Sequence, residues 1–148
     1  MRCPAAGLRG HPARIVHRPR RTNDRSRVRC RHRRRVLAFN ERRFADFATY
    51  VTDDVVEVYP QSSERIEGRD RQLAFHRAFP NPPTFTVRAV HRASNLAVVE
   101  ADERSADGTV WSDVWIFELR DEKVASMIGY FGQPFAAPEW RRPYRVRP

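Results

Sequence analysis

The spacing of hydrophobic positions changes from helical to strand-like about one third of the way along the chain. Over residues 29–51, apolar residues recur at three- and four-residue steps, which predicts a helical region with a break near Asn40. Beyond it the runs alternate, as strands do, except over 71–79, where a short helix is predicted with Asp70 as its N-cap. Strands are predicted at 55–59, 65–67, 84–92, 95–106, 109–119 and 124–132.

Turn signals separate the four longer strands at the end of this pattern. Asp107-Gly108 between two alternating runs is a strong hairpin signal, Asn95 marks the turn before it, and the charged segment 120–123 marks the turn after it. Helices followed by a long antiparallel meander are typical of α+β proteins. The sequence therefore predicts an α+β fold, with N-terminal helices packed on the concave face of a curved, mostly antiparallel sheet of about six strands.

The strand predicted at 109–119 is apolar on both faces. Because strand side chains alternate, Trp111 and Trp115 lie on one face, whereas Val114 and Ile116 lie on the other. A sheet with one face in water alternates more cleanly than this. We therefore predict that the second face meets a partner, most simply a twofold-related copy, so that the protein is a homodimer.

Charge is distributed unevenly along the 148 residues, whose net charge is +10. Residues 1–35 hold 13 arginines and one acid, a net charge of +12, which leaves −2 for residues 36–148. The two cysteines, Cys3 and Cys30, offer no disulfide framework and no metal-ligand spacing. We predict a basic head at 1–35, disordered over its first 25 residues, a domain at 36–135, and a Pro/Arg-rich tail at 136–148.

The basic head has two interpretations. Clustered arginines neutralise phosphates, which suits an arm for nucleic acid or another polyanion. The first Phe, Tyr or Trp is Phe39, however, and the Arg/Pro/Ala/Gly-rich composition favours a solvated extension over a nucleic-acid site. No apolar run approaches the ~18 residues that span a membrane, and the head lacks the apolar core of a secretory signal. We therefore predict a soluble, cytoplasmic protein without a membrane partner.

The order of elements and several local motifs resemble the SnoaL-like polyketide cyclase group of the nuclear transport factor 2-like superfamily. The motifs are Thr-Asp-Asp-Val-Val at 52–56, Ile-Glu-Gly-Arg-Asp at 66–70, the strand–turn–strand at 117–124 and the closing Gly-Tyr-Phe at 129–131. The resemblance implies a cone with an apolar pocket between helices and sheet, and commonly a dimer through the outer face of the sheet. Such proteins include isomerases, cyclases, dehydratases, epoxide hydrolases and plain binders, so fold alone does not define the chemistry.

Asp113 is the leading candidate for chemistry, because it lies between Trp111 and Trp115 on one strand face. If that face lines the pocket, the indoles exclude water, disfavour the charged carboxylate and raise its pKa. Such a carboxyl group can act as a general base near neutral pH. The alternative is that this face is the outer one and that Asp113 pairs with an arginine at an interface.

Three further residues are candidates for catalysis. Tyr130, near the end of the last strand, could donate a hydrogen bond to a substrate oxygen. The resembled superfamily often has an acid just after this position, where Gly132 and Gln133 stand here. His76 could be a pocket base or a buried wall residue, and Glu100 could point into the pocket or into solvent.

No glycine-rich phosphate loop, nucleophile elbow or His/Cys cluster is present, so the sequence predicts neither a cofactor nor a metal. Two functions remain open: cofactor-free acid/base catalysis (an isomerase, cyclase, dehydratase or hydrolase) on a small lipophilic molecule, or a non-catalytic ligand-binding or dimerisation module. A flat apolar ligand suits the predicted lining. Its residues are Phe47, Tyr50, Tyr59, Phe75, Phe79, Trp111 and Trp115.

Overall fold

The computed structural model describes residues 23–146, and the side chains of residues 31–146. Three helices pack against a single six-stranded sheet, and a 3₁₀ helix, Glu139–Tyr144, follows the last strand. The helices are α1 (Asn23–Asn40), α2 (Phe44–Ala48) and α3 (Arg69–Ala78). The strands are β1 (Val51–Tyr59), β2 (Glu64–Glu67), β3 (Thr84–Ala93), β4 (Leu96–Arg104), β5 (Val110–Arg120) and β6 (Lys123–Gly132).

The strands lie in the order β2-β1-β6-β5-β4-β3. All neighbouring pairs are antiparallel except β1 and β6, which are parallel. The sheet is open and curved, with the helices against its concave face, so the α+β prediction is confirmed. None of the helices in residues 23–146 is long and apolar enough to cross a membrane.

Two local predictions are wrong at the element boundaries. Val51, predicted as helical, begins β1, because it pairs with Val124 of β6 and extends the central ladder. Asp70 does not cap α3; Gly68, with a φ of +85°, holds the N-cap position and Asp70 lies in the first turn. The positive φ suits glycine, which has no Cβ to clash in that conformation.

Helix α1 extends into the predicted basic head. Its buried positions include His32, Arg35, Val36 and Phe39, which recur at the three- and four-residue spacing of one helix face. The folded domain therefore begins before the predicted boundary at residue 36. Most of the predicted disorder, and Cys3, lie outside the described residues.

The register of the sheet decides which side chains reach the concave face. On β5, Trp115, Phe117 and Leu119 are buried on that face, whereas the alternate positions are more exposed on the convex face. The hydrophobic core lies between sheet and helices, with fully buried residues such as Phe47 and Val99. This arrangement places inward-facing side chains of β1, β4, β5 and β6 around one cavity.

Candidate active site

A cavity of about 570 Å³ lies between the helices and the concave face of the sheet. Its size is within the usual range for small-molecule sites, and aromatic rings form much of its wall. Gln61, Ser62, Glu64 and Gln133 are exposed lining residues, and the less exposed charged or polar side chains form two groups. The rings are Phe39, Phe47, Tyr59, Phe75, Phe79, Phe85, Trp111, Trp115 and Phe131.

Glu57 of β1 forms the centre of the first polar group, which we call the inner cluster: Arg35, Glu57, Tyr59, Gln72 and His76. The Glu57 side chain is 1% exposed, and its Oε2 accepts a hydrogen bond of 2.7 Å from Gln72 Nε2. The Tyr59 hydroxyl donates to Oε1, and His76 Nε2 lies 3.3 Å from Oε2 without hydrogen-bond alignment. Burial favours the neutral acid, but the nearby imidazole and these donors outweigh it and hold the pKa of Glu57 below its ordinary value.

Arg35 of α1 is a buried cation in the same cluster. Its guanidinium lies between the rings of Phe47 and Phe117, at 4.9 and 4.6 Å, and its Nη2 donates to the thioether of Met127 at 3.1 Å. Its Nε has no hydrogen-bond partner. Burial lowers the pKa of Arg35 to about 10 although the charge of Glu57 opposes this, so the group stays protonated at neutral pH.

Asp113 and Glu103 form the second polar group, which we call the carboxyl pair. Asp113 is 0% exposed on the concave side of β5, and Glu103 of β4 is its diagonal neighbour on that side. Burial, and then the adjacent Glu103, raise the pKa of Asp113 to about 8, and burial raises the pKa of Glu103 as well. Because two adjacent carboxyl groups resist ionising together, the pair retains a proton near neutral pH.

The carboxyl pair opens to the cavity through Glu103. Glu103 lines the cavity, whereas Asp113 lies behind the lining, next to Trp111 and Trp115 in the strand. Neither carboxyl oxygen of Asp113 makes an aligned hydrogen bond, although the Gly132 amide lies close enough to oppose part of the pKa rise. Asp113 therefore faces inward, as one of the two alternatives predicts, but it does not touch the cavity.

Close approach of β6 to β5 requires a glycine beside the carboxyl pair. A Cβ at Gly132 would lie 2.6 Å from the carbonyl oxygen of Ser112, a distance that no side chain tolerates. The missing side chain lets the backbone amide approach Asp113. The resemblance leads one to expect an acid near this point, where the chain has Gly132 and Gln133. The close approach of the two strands explains why residue 132 is a glycine.

Most of the predicted site residues lie around this cavity. The structure places seven of them in its lining, and their roles in binding or catalysis stay predictions. They are Phe47, Tyr59, Phe75, His76, Phe79, Trp111 and Trp115.

Three candidate site residues lie outside the cavity lining. Tyr130 is 43% exposed and lies opposite Val114 on the convex face, because beyond the register shift near residues 124–126 the inward positions of β6 are the odd-numbered ones. Glu100 also lies on the convex face, where its carboxylate is 3.0 Å from His91. Tyr50 packs against the core rim with Arg31 above its ring at 5.6 Å, outside the cavity lining.

Sequence reasoning missed the residues that complete both polar groups. Glu57 shares its strand face with Val55, and Glu103 shares its face with Val99 and Ala101, so alternation could have found both. Arg35 lies on the buried face of α1, but an arginine in a basic run carries no sign of burial. Across residues 31–146, no group of three His, Cys, Asp or Glu side chains is arranged to hold a metal ion.

Comparison with known proteins places these features in a family. An NTF-2 like protein of unknown function from Burkholderia xenovorans LB400 is 31% identical, with a TM-score of 0.75 over 83% of this chain and 96% of that chain. A candidate ketosteroid isomerase from Kribbella flavida DSM 17836 is 25% identical, with a TM-score of 0.74 over 82% and 90% of the two chains. An LEH-like epoxide hydrolase from M. tuberculosis, 16% identical with a TM-score of 0.61 over 72% and 83%, shares the fold.

None of the curated proteins compared with the chain matches it. Residues 32–127 match the SnoaL-like domain, a stretch that runs from His32 of α1 into β6 and includes both polar groups of the cavity. The chain therefore belongs to the SnoaL-like domain family.

Proposed function

We propose that the protein binds a small lipophilic molecule in its cavity and performs cofactor-free acid/base chemistry on it. The observation that carries this proposal is the placement of the carboxyl pair, in which buried Asp113 lies beside cavity-lining Glu103 on the concave face. Burial and the adjacent carboxyl group raise the pKa of Asp113 to about 8, so the pair is expected to hold a proton near neutral pH. Isomerisation, cyclisation, dehydration and hydrolysis all require a group that exchanges a proton with the substrate. A structural relative, 25% identical, is a candidate ketosteroid isomerase, which supports the same class of reaction.

Glu103 is the catalytic residue in this proposal, because it is the member of the pair that reaches the ligand. Its carboxylate takes a proton from a C–H bond next to a carbonyl group of the ligand, and the electron pair of that bond forms the C=C bond of an enolate whose charge lies on the carbonyl oxygen. The pair then carries two protons and returns one of them to another ligand atom. Asp113 is a positioning residue: because it keeps its own proton, Glu103 is the ionised member of the pair, and the neighbouring indoles keep bulk water away.

A probe ketone tests this chemistry without knowledge of the substrate. The bicyclic ketone 2-tetralone exchanges its acidic C–H hydrogens for deuterium in D₂O, and NMR follows the rate. We expect the protein to accelerate exchange, and Glu103→Gln to reduce the acceleration by roughly 10²-fold or more, since a positioned base contributes that much. Glu118→Gln, an exposed carboxylate on the convex face, is the matched control and should not change the rate.

A second function, ligand binding without catalysis, is favoured by one observation: Asp113 lies behind the cavity wall rather than in it. If 2-tetralone binds and its hydrogens exchange only at the buffer rate, the acid/base proposal is contradicted and the binding module is supported. Affinity for the ketone should then be the same in the protein and in Glu103→Gln.

We also propose that the protein is a homodimer joined through the convex face of the sheet. Ile116 and Val114 lie there in partly exposed rows with Ile128 and Tyr130 of β6. A glutamate at Ile116 should separate the subunits, whereas Thr86→Glu, at the exposed edge strand, should not. Analytical ultracentrifugation that finds the unaltered protein monomeric at micromolar concentration would contradict the proposal.

The part of the basic head that precedes α1, residues 1–22, is proposed to be dispensable for this function, in a cytoplasmic protein that does not bind nucleic acid. Deletion of residues 1–22, which precede α1, should leave the melting temperature and the affinity for 2-tetralone unchanged. A marked loss of either would show that the head contributes to the domain.

A further inference from the structure

Arg35 is a fixed cation without a strong acceptor, and it lines the cavity. Its side chain is 5% exposed, and the two phenyl rings on either side of it restrict its orientation. The only hydrogen bond found for it within residues 31–146 goes to the sulfur of Met127, a weak acceptor, and no carboxylate in that range forms an ion pair with it. Arginine presents five N–H donors, so most of its capacity is unused.

Glu57 balances the charge of Arg35 but does not satisfy these donors. Its carboxylate acts on the guanidinium across a distance, while its oxygens accept hydrogen bonds from Gln72 and Tyr59. His76 lies on the same carboxylate. The inner cluster therefore contains a carboxylate with several partners beside a guanidinium that lacks an oxygen partner.

We propose that the natural ligand is a lipophilic carboxylate whose anionic group binds Arg35. The inference rests on the proposed function, in that it assumes a lipophilic molecule occupies the cavity. A carboxylate offers the planar pair of oxygens that suits a guanidinium, and charge-assisted hydrogen bonds gain strength where water is excluded. The aromatic walls would enclose the apolar body of the same molecule.

The spacing of the two polar groups also indicates the shape of this ligand. Phe117, beneath the Arg35 guanidinium, is four residues along β5 from Asp113, which corresponds to roughly 13 Å at the rise of a β-strand. Both side chains are on the concave face, with Trp115 between them. The ligand would thus be elongated, with its carboxylate at the inner cluster and its reactive atom near Glu103.

A matched pair of probes tests the preference for an anion. The acid 2-naphthylacetate and its primary amide have nearly the same shape but differ in charge, and calorimetry on the full chain at pH 7 and physiological salt measures both affinities. We expect the acid to bind at least about tenfold more tightly than the amide, as a charge-assisted hydrogen bond implies. In Arg35→Gln the two probes should bind equally, and Arg35→Lys should retain part of the preference.

Arg34→Gln is the matched control, because Arg34 is the exposed neighbour of Arg35 on the same helix. It should leave both affinities unchanged, which separates binding in the cavity from attraction to the basic surface. Equal binding of acid and amide by the unaltered protein would overturn the inference and leave the proposed function standing. A preference that persists in folded Arg35→Gln would also overturn it.

Failure of both probes to bind the unaltered protein would instead contradict the proposed function, and the inference with it. Circular dichroism establishes whether Arg35→Gln is folded. If it is not, the acid/amide ratio of the unaltered protein and of Arg35→Lys decides the question.

Discussion

Glu57 and Asp113 are two buried carboxyl groups near opposite ends of one cavity, and their pKa values move in opposite directions. Both are almost completely excluded from solvent, at 1% and 0% exposure. The pKa of Glu57 is lowered, whereas that of Asp113 is raised to about 8. Burial alone therefore does not determine the charge of a carboxyl group in this protein.

The neighbours of each group explain the difference. Glu57 accepts hydrogen bonds from Gln72 and Tyr59, lies beside His76 and feels the positive charge of Arg35. Asp113 instead lies beside a second carboxyl group, with two indoles at the flanking positions of its strand face and Phe131 opposite it on β6. One cavity thus contains an ionised carboxylate that organises its wall and a carboxyl pair that can exchange a proton.

The two groups also make stability depend on pH in opposite ways. Asp113 has a folded pKa above its unfolded value, so its contribution is complete below about pH 4 and is lost as pH rises towards 8. Glu57 has a folded pKa below its unfolded value of about 4.5, so its contribution is present above that pH and is lost as the solution becomes more acidic.

Loss of the inner carboxylate should have the largest effect. Glu57→Gln removes the negative charge that faces buried Arg35, and we expect it to lower the free energy of unfolding by about 3 kcal/mol at pH 7, as for a broken buried pair. Urea denaturation measures the change. Glu118→Gln on the convex face is the control, and an equally small effect for both variants would show that Glu57 does not stabilise the inner cluster.

Asp113→Asn should act in the opposite direction. It removes a carboxyl group that is costly to ionise, so the free energy of unfolding should rise by about 1–2 kcal/mol at pH 8. At pH 4 it should not rise, because Asp113 is neutral in the folded protein there. Glu118→Gln, on the exposed convex side of β5, is the control and should not reproduce this gain, and a gain for Asp113→Asn that is the same at both pH values would contradict the assignment.

Glu103→Gln should reduce, but not abolish, the difference between the pKa values of Asp113 and Glu57. The neighbouring carboxyl group is the second cause of the raised pKa of Asp113, after burial. Its removal should lower that pKa by about one unit, which would move the loss of stability at high pH to a lower pH. An unchanged pH profile would show that the carboxyl groups do not interact.

The smallest effect is expected at Tyr130, outside both polar groups. Tyr130→Phe removes a hydroxyl from the convex face, so it should alter the free energy of unfolding by less than about 0.5 kcal/mol. The exchange rate of 2-tetralone should be unaltered as well. A large loss of the 2-tetralone exchange rate would indicate that Tyr130 takes part in the site, and it would contradict its position on the convex face.

The sequence pattern predicted the fold and placed Asp113 on one strand face with Trp111 and Trp115, but it left open which way that face points and did not identify the partner of Asp113. Alternation along β5 determines which side chains share a face, and the two tryptophans identify the residues that lie on the same face as Asp113. The pairing of Glu103 with this face depends on the β4–β5 register, which the turn at 105–109 sets. The sequence does not show which face of β6 Tyr130 occupies. Its neighbour Phe131 is equally aromatic, and Gly129 has no side chain that would indicate which positions face inward.

The inner cluster escaped prediction for a different reason. Hydrophobic periodicity identifies buried apolar residues, and it treats a charged residue as exposed. Arg35 lies between two rings that are distant in sequence, and Glu57 finds its donors on α3 and on its own strand. Such compensation is a property of the packed structure, and a single helix or strand does not contain it.

The central claim, that Asp113 belongs to a carboxyl pair holding a proton near neutral pH, is tested most directly by NMR titration of its side-chain carboxyl carbon. We predict an apparent pKa well above that of a free aspartate, at about 8, which falls in Glu103→Gln. An ordinary pKa near ~3.9 would contradict the claim, because it would mean that Asp113 is ionised at neutral pH. The cavity would then be a binding site without an acid/base group at this end.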